Sequence, residues 1–193
     1  MRIITFLLLL TLSTQALAQD STKRYTFKEI GWTITLPDGF TEMDQDENRK
    51  KIEKGKKIME ESNDIGVDVS KLKTLFSATK SPSEYFTATI TPYVPEKDGD
   101  YAKGIKKVKE LTYNTFKNQM PNVELDSFSL KMTIDGLTFD KFNVILKVKD
   151  LNLTLVFISK LYKGYDFGIS YLYLDEKTKE QIEASINGSK FRK

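Results

Sequence analysis

Apolar and polar residues alternate most regularly in the second half of the chain. Phe128, Leu130, Met132 and Ile134 are separated by single polar residues, which is the period-two pattern of a strand with one buried face. Asp135-Gly136 follows at once, and an Asp-Gly pair favours a two-residue hairpin turn because both positions tolerate positive φ. This stretch therefore predicts a strand that turns back on itself.

Further strands follow this hairpin. Apolar residues alternate again over 142–148. The stretch 151–162 is apolar on both faces: Val156 and Ile158 lie on one face, and the other face carries Leu151, Leu153, Leu155, Phe157 and Leu161. Lys163-Gly164 is a second two-residue turn, and every second residue from Tyr165 to Tyr173 is aromatic or apolar. The pattern predicts a four-stranded antiparallel meander.

Two amphipathic helices are predicted by spacings of three and four. The first is capped by Asp100, is stopped by Pro121, and has its apolar stripe at Tyr101, Ile105, Val108, Thr112, Phe116 and Met120. The second lies near the C-terminus, where Asp175 is the expected cap and Ile182 and Ile186 face inward before Gly188.

The first half is less regular. Short strands are predicted over Tyr25–Ile30, Trp32–Leu36, Leu72–Thr79 and Tyr85–Tyr93. Between the two pairs lies the charged segment Asp44–Glu61, which has the composition of a helix but few apolar positions. A helix of this kind docks weakly, so the segment is either a docked helix or a mobile flap.

This order of elements predicts the fold class. A strand that is apolar on both faces needs cover on both sides, which helices on each face of a sheet provide. We expect an α+β protein, built as an α/β/α sandwich with one largely antiparallel sheet covered by helices on both faces. Residues 19–193 are enough for one domain and short for two.

The stretch GWTITLPDGF contains Trp32, the only tryptophan of the sequence. Trp32, Ile34 and Leu36 point one way, and Pro37-Asp38-Gly39 then forms a turn before Phe40 returns toward the core. The favoured interpretation is a core strand, since large alternating residues usually pack inward. The alternative is that Trp32 lines a binding groove.

The first eighteen residues predict export. Arg2 precedes an apolar run from Ile3 to Leu12, and Ala16 and Ala18 form a pattern that a signal peptidase recognises. The run is shorter than the about 20 apolar residues that span a bilayer. We expect 1–18 to be a cleaved signal peptide and the protein to be periplasmic or secreted, without a lipid anchor because there is no cysteine. No later stretch is apolar enough for a transmembrane segment.

Composition limits the chemistry further. The sequence has no histidine and no cysteine, which excludes Ser-His-Asp and Cys-His catalysis and removes the usual ligands of zinc, copper and haem. No cofactor is expected. The formal charge is +3 for the whole sequence, which gives no case for nucleic-acid binding. An enzyme would depend on carboxylates, lysines, tyrosines or a hard cation.

The charged segment holds the densest basic cluster, which comprises Arg49, Lys50, Lys51, Lys54, Lys56 and Lys57. This cluster would suit an anionic surface or a partner protein. Acidic residues lie among the basic ones, however, and mixed-sign runs are usually solvated helix surface. Asp44, Asp46 and Asn48 match the first spacings of a calcium loop, but Arg49 and Gly55 stand where its glycine and glutamate are required.

Two short stretches carry a family resemblance. The strand that ends in LPDGF, and the closing IEASINGSKF, resemble the first strand and the terminal helix of the PsbP-like superfamily. That group includes the extrinsic photosystem II protein PsbP, a Ran-binding nuclear import factor and bacterial secreted proteins. The resemblance implies the α/β/α sandwich and a binding or accessory role, and it supplies no catalytic residues.

Two functions of different classes follow from these features. The first is an exported, non-enzymatic binding or accessory protein that acts on an unidentified protein or cell-surface component. The alternative is a carboxylate-based hydrolase of extracytoplasmic polymers, which requires two acids roughly 5–10 Å apart in a cleft. Oligomeric state is not predicted by any feature of the sequence.

Overall fold

The computed structural model describes residues 23–149 and 151–192. The proposed signal peptide, residues 1–18, lies outside these ranges. The elements in chain order are β1 (Arg24–Phe27), β2 (Trp32–Thr35), β3 (Thr41–Glu42), α1 (Gln45–Asn63), β4 (Lys73–Ser81), β5 (Glu84–Pro92), α2 (Pro95–Asp98), α3 (Tyr101–Gln119), β6 (Glu124–Ile134), β7 (Leu137–Val148), β8 (Leu151–Tyr162), β9 (Tyr165–Tyr173), α4 (Glu176–Gly188) and β10 (Lys190–Phe191).

The described residues form a seven-stranded sheet with the order β3-β4-β5-β9-β8-β7-β6. Every neighbouring pair in it is antiparallel. This confirms a mixed helix and strand protein with a large antiparallel sheet, and it confirms the four-stranded meander. The two predicted turns are present, with positive φ at Asp135, Gly136, Lys163 and Gly164.

The prediction of one sheet was wrong. Strands β1 and β2 pair with each other and with β10 in a separate three-stranded sheet. The chain after α4 supplies β10, and Phe191 lies opposite Trp32. A two-residue strand such as β10 has too few positions to show an alternating pattern, so sequence periodicity does not reveal it.

Aspartate caps start the three long helices. The side chains of Asp44, Asp100 and Asp175 accept hydrogen bonds from backbone N–H groups of the first turns, at 2.8, 2.8 and 2.7 Å. These bonds satisfy donors that have no partner inside the helix. The caps at Asp100 and Asp175, and the inward positions of Ile182 and Ile186, agree with the sequence predictions.

The larger hydrophobic cluster is centred on Trp32, which is 0% exposed. Its ring lies 5.1 Å from the Phe167 ring, 5.5 Å from Phe27 and 6.2 Å from Phe191, measured between centroids. The indole therefore joins the small sheet to β9 of the large one. Phe40, after the Pro-Asp-Gly turn, is 5% exposed in the same cluster.

A second cluster contains Phe142, Val144, Leu146, Leu155 and Leu172. Tyr113 and Phe116 of α3 pack against it. Along β8, Leu155 of this cluster alternates with Val156 and Ile158 of the Trp32 cluster, so this central strand is apolar on both faces. This agrees with the sequence pattern of β8.

Several apolar residues that the sequence pattern places on a buried face are exposed in the structure. Val108 and Met120 on the α3 stripe are 53% and 40% exposed, and Phe128 and Leu130 on β6 are 48% and 41% exposed. Strand β6 is the edge of the sheet, so its side chains have a neighbour on one side only. Thr112 and Thr115 are the buried residues of α3. The helix thus packs through a narrower and more polar stripe than predicted.

We predict that Trp32→Ala lowers the free energy of unfolding by about 3–5 kcal/mol, because it removes a fully buried aromatic side chain. Urea unfolding followed by circular dichroism measures this, since the variant has no tryptophan. The control Phe128→Ala removes an exposed ring and is expected to change stability by about 0.5 kcal/mol or less. A Trp32→Ala cost as small as that of the control would contradict the core assignment.

Candidate functional site

The face of the large sheet that meets α1 and α3 is unusually polar on four adjacent strands. In one cross-strand row Thr74 pairs with Thr89, Thr89 with Gly168, and Gly168 with Ser159. In the next row Ser77 pairs with Thr87 and Thr87 with Ser170. We call this set the polar floor: Thr74, Ser77, Thr87, Thr89, Ser159, Gly168 and Ser170.

The polar floor contrasts with the reverse side of the same strands. Phe86, Ala88 and Ile90 alternate with Thr87 and Thr89 along β5, and they are at most 2% exposed. A sheet face under helices is ordinarily filled by large apolar side chains at the density of an organic crystal. Short hydroxyl side chains and a glycine cannot fill that space.

Cavities consequently remain around the helices. The outer α1 cavity, about 490 Å³, lies between α1, the α1–β4 loop and β4, and its lining includes Arg49, Glu53 and Thr74. The inner α1 cavity, about 390 Å³, lies on the other side of α1 above Ser77, Thr87 and Ser170.

A further cavity lies beneath α3. We call it the α3 cavity; its volume is about 180 Å³. Ile105, Val108 and Thr112 of α3 form its roof, and Asp166 stands at its floor beside Thr89, Ser159, Gly168 and Ser170. Ser170 lines both this cavity and the inner α1 cavity. The polar floor thus runs beneath both helices.

Helix α1 docks on the molecule mainly through polar contacts. Asn48 is its buried residue, and the Asn48 Nδ2 donates to Thr74 Oγ1 at 2.8 Å. At the other end, Asn63 Nδ2 donates to Thr115 Oγ1 of α3 at 2.8 Å, and Asn118 Nδ2 donates to the Ser62 carbonyl at 2.8 Å. A hydrogen bond contributes about 0.5–1.5 kcal/mol net, so these contacts hold α1 less firmly than an apolar stripe would.

Asp166 is the most unusual charged group near the floor. The Tyr101 hydroxyl donates to its Oδ1 at 2.8 Å. Burial raises the pKa of the Asp166 carboxyl, and the Tyr101 hydrogen bond offsets part of that rise. Burial and the charge of Asp166 in turn raise the pKa of the Tyr101 hydroxyl. The carboxylate form of Asp166 is therefore less favoured here than in water.

The predicted basic cluster lies on α1, but its members do not share one face. At 3.6 residues per turn they spread over more than half of the helix circumference. Arg49 lines the outer α1 cavity, whereas Lys51 and Lys54 line the inner one.

Acidic neighbours on the same helix pair with part of this cluster. Arg49 is 3.0 Å from Asp46, and Lys51 is 3.2 Å from Glu47. Lys57 is also paired, at 3.7 Å from Glu61. Lys50, Lys54 and Lys56 complete the predicted cluster. Binding of an anionic surface by this cluster stays a prediction.

Trp32 lies on the other side of the large sheet from the polar floor. Its neighbour Phe167 alternates along β9 with Gly168, so the two side chains point to opposite faces. Trp32 is 0% exposed and fills the core, which excludes it as an open groove wall in this structure. The core interpretation of the GWTITLPDGF stretch is the one that the structure supports.

Asp44, Asp46 and Asn48, which match the first spacings of a calcium loop, make structural contacts. Asp44 caps α1, the Asp46 carboxylate pairs with Arg49, and Asn48 bonds Thr74. Among the described residues, no group of three or more acidic side chains is arranged to hold a metal ion. In the same part of the chain, no helix is long and apolar enough to cross a membrane.

Sequence reasoning missed the polar floor. Its signal is present in β5 and β9, where Thr87, Thr89, Gly168 and Ser170 occupy every second position opposite a large apolar set. From the sequence alone, a strand with this alternation is expected to have its polar face in contact with solvent. The helices that cover this face come from other parts of the chain, so only the tertiary structure reveals covered space.

Comparisons with known proteins give no family for this chain. No protein-family model and no curated protein sequence matches it. A crystal structure from Bacteroides thetaiotaomicron VPI-5482 is 9% identical with a TM-score of 0.48, and the match covers 89% of this chain and 49% of that one. This chain thus spans about half the length of that structure.

A second solved structure is LpqN, which is involved in cell envelope biogenesis of Mycobacterium tuberculosis. It is 11% identical with a TM-score of 0.42, and the match covers 91% of this chain and 88% of LpqN. At these identities and TM-scores, neither structure is a guide to what this chain binds or does.

We predict that Asp166→Asn gains stability relative to the parent protein as pH rises. The folded-state pKa of Asp166 is raised, so between the unfolded-state value of about 3.9 and the folded value the folded protein binds more protons. The parent protein therefore loses stability through that window, and the asparagine variant does not. Urea unfolding between pH 3 and pH 8 measures the difference.

The matched control for this prediction is Glu180→Gln, which removes one exposed carboxylate from α4. It changes the net charge equally but leaves Asp166 in place. If both variants show the same pH dependence relative to the parent protein, the burial of Asp166 has no effect on stability.

We also predict that backbone amides of α1 exchange with solvent at a lower opening free energy than those of β8. The reason is that α1 docks through a few hydrogen bonds, whereas β8 is central in the sheet. Hydrogen exchange read by mass spectrometry or NMR tests this. Asn48→Ala is expected to speed exchange in α1, and the exposed control Asn114→Ala is not. Equal protection of α1 and β8 would contradict weak docking.

Proposed function

We propose that the chain is a non-enzymatic binding or accessory protein, exported as a single domain of residues 19–193. Its partner is a protein or cell-surface component met outside the cytoplasm. The α/β/α sandwich, with helices on both faces of the large sheet, is part of this proposal. It is supported by the packing of Ile182 and Ile186 of α4 in the Trp32 cluster, and of Tyr113 and Phe116 of α3 against the other cluster.

The observation that carries the proposal is the polar floor beneath α1 and α3. Space left by small side chains on a covered sheet face costs packing energy, so a chain without a use for it would be more stable with larger apolar residues. Preformed concave sites with a few polar groups are typical of ligand and partner recognition. The PsbP-like resemblance agrees with a binding role.

Charged side chains at the rims of these cavities are the groups that a bound partner would contact. Lys51 and Lys54 border the inner α1 cavity, and Arg49 and Glu53 border the outer one. Asp166 supplies a negative group inside the α3 cavity. A partner that spans the two helices would therefore contact basic groups at the rim and an acidic group within.

The hydrolase alternative receives less support from the same geometry. Within the described residues, the acid that lines the α3 cavity is Asp166, and a two-carboxylate mechanism requires a second acid across the cleft. The outer α1 cavity is lined by Glu42 and Glu53, and Glu42 accepts a hydrogen bond from the Tyr25 hydroxyl at 3.0 Å. Among the described residues, the α3 cavity therefore has no second acid, and one of the two acids that line the outer α1 cavity is held by the Tyr25 hydroxyl.

We predict that a photo-crosslinking residue placed on the α1–α3 face captures a defined partner. Benzoylphenylalanine in place of Lys54 or Val108 would stand at the rim of the inner α1 cavity or the α3 cavity. The matched control replaces Lys177, which is exposed on α4. The expected result in intact cells is one dominant adduct at both rim positions that is absent at the control position.

The contrary result would be the same adducts at all three positions, or none at either rim. Turnover of a glycan or ester by the purified protein, lost when Glu42, Glu53 or Asp166 is replaced, would favour the hydrolase instead. The adduct itself identifies whether the partner is a protein or an envelope polymer.

A further inference from the structure

The α3 cavity combines an acidic group with a hydrophobic roof. Its volume of about 180 Å³ equals the share of liquid volume of roughly six water molecules. The aliphatic side chains of Ile105 and Val108 line it from α3 as an apolar wall. On the sheet side, Thr89 and Ser159 stand opposite Gly168, two residues from Asp166 on the same face. Val108 is 53% exposed, so this wall is uncovered on its outer side.

Asp166 has no cationic partner among the described residues. Its side-chain hydrogen bond comes from the neutral Tyr101 hydroxyl. Lys109 also lines the cavity, but its Nζ lies 3.7 Å from Asp140 Oδ1 and 5.9 Å from the centre of the Phe142 ring. The charge of Lys109 is thus directed to other groups.

A partly buried carboxylate without a cation is costly to the folded state. A bound cation would remove that cost, because an opposite charge favours the ionised form of the acid. An ammonium group brings three hydrogen-bond donors, which suits a cavity lined by a carboxylate and by the hydroxyl oxygens of Thr89 and Ser159. The apolar wall suits an alkyl chain attached to that ammonium group.

We propose that the α3 cavity binds a primary alkylammonium group of about five or six non-hydrogen atoms, with Asp166 accepting from the ammonium and the chain lying against Ile105 and Val108. This inference rests on the proposed function, since it names the chemistry that the α1–α3 face recognises. A lysine side chain of a partner and a free small amine share this chemistry.

The first test is an NMR titration of the purified protein with n-butylammonium chloride. Saturable shifts are expected at the backbone amides of Thr89, Gly168 and Ser170, which surround the cavity. The neutral isostere n-butanol is expected to bind at least about tenfold more weakly, because hydrogen bonds to charged groups are the stronger ones. Asp166→Asn is expected to weaken n-butylammonium binding by a similar factor.

Two further variants separate charge from shape. Gly168→Val keeps Asp166 but adds side-chain volume at the cavity floor, where a Cβ would stand 3.4 Å from Thr89 Oγ1, and it is expected to abolish binding. Glu180→Gln removes a distant exposed acid and is expected to leave binding unchanged.

Equal binding of n-butanol and n-butylammonium, or undiminished binding by Asp166→Asn, would overturn the proposal. So would shifts that do not saturate or that appear equally at remote exposed acids. If Asp166→Asn does not fold, the Gly168→Val result and the butanol comparison still decide the question.

An acetylated and amidated Gly-Lys-Gly peptide distinguishes the two sources of the amine. Shifts of the same amides by this peptide, reversed by competing n-butylammonium, assign the site to a partner's lysine. Binding of n-butylammonium without the peptide assigns it to a small free amine. The crosslinking experiment tests the proposed function separately. If the titration fails but the crosslinked adducts persist in Asp166→Asn, the proposed function stands and only the ammonium site is wrong.

Discussion

Packing of aromatic rings around Trp32 holds the architecture together. The indole contacts Phe27, Phe167 and Phe191, and so joins β1, β9 and β10 across two sheets. Without cysteines, this chain has no disulfide to bring those distant segments together. Dispersion and burial of large rings therefore position the small sheet on the large one, and α4 is held in the same cluster through Ile182 and Ile186.

Because the sheet is stabilised by close packing on the Trp32 side, its opposite face can carry small polar side chains in place of large apolar ones. Strands β5 and β9 are anchored by Phe86, Ile90 and Phe167, so their other side need not be filled for the sheet to form. Short side chains such as Thr89 and Ser170 then leave space under α1 and α3. The face toward Trp32 is thus closely packed and stabilises the fold, whereas the face toward α1 and α3 is concave and loses packing energy.

Much of the fold was predictable, and the site was not. The meander from β6 to β9 follows from alternation and from the Asp135-Gly136 and Lys163-Gly164 turns, while Asp100 and Asp175 mark helix starts. The second sheet was missed because Lys190–Phe191 is too short to show a period. Val108 was expected to be buried and is 53% exposed, because the spacing within α3 does not specify which part of its apolar stripe the sheet covers.

The sequence by itself determined the local elements, the absence of histidine and cysteine chemistry, and which side of β5 and β9 faces the aromatic core. The reason is that turns, caps and strand alternation depend on residues a few positions apart. Tertiary structure alone decided that α1 and α3 cover the polar floor, that Asp166 and Val108 line one cavity, and that the Trp32 ring meets Phe167 and Phe191. Those relations join segments far apart in the chain, and their energies depend on packing between side chains that no local pattern specifies.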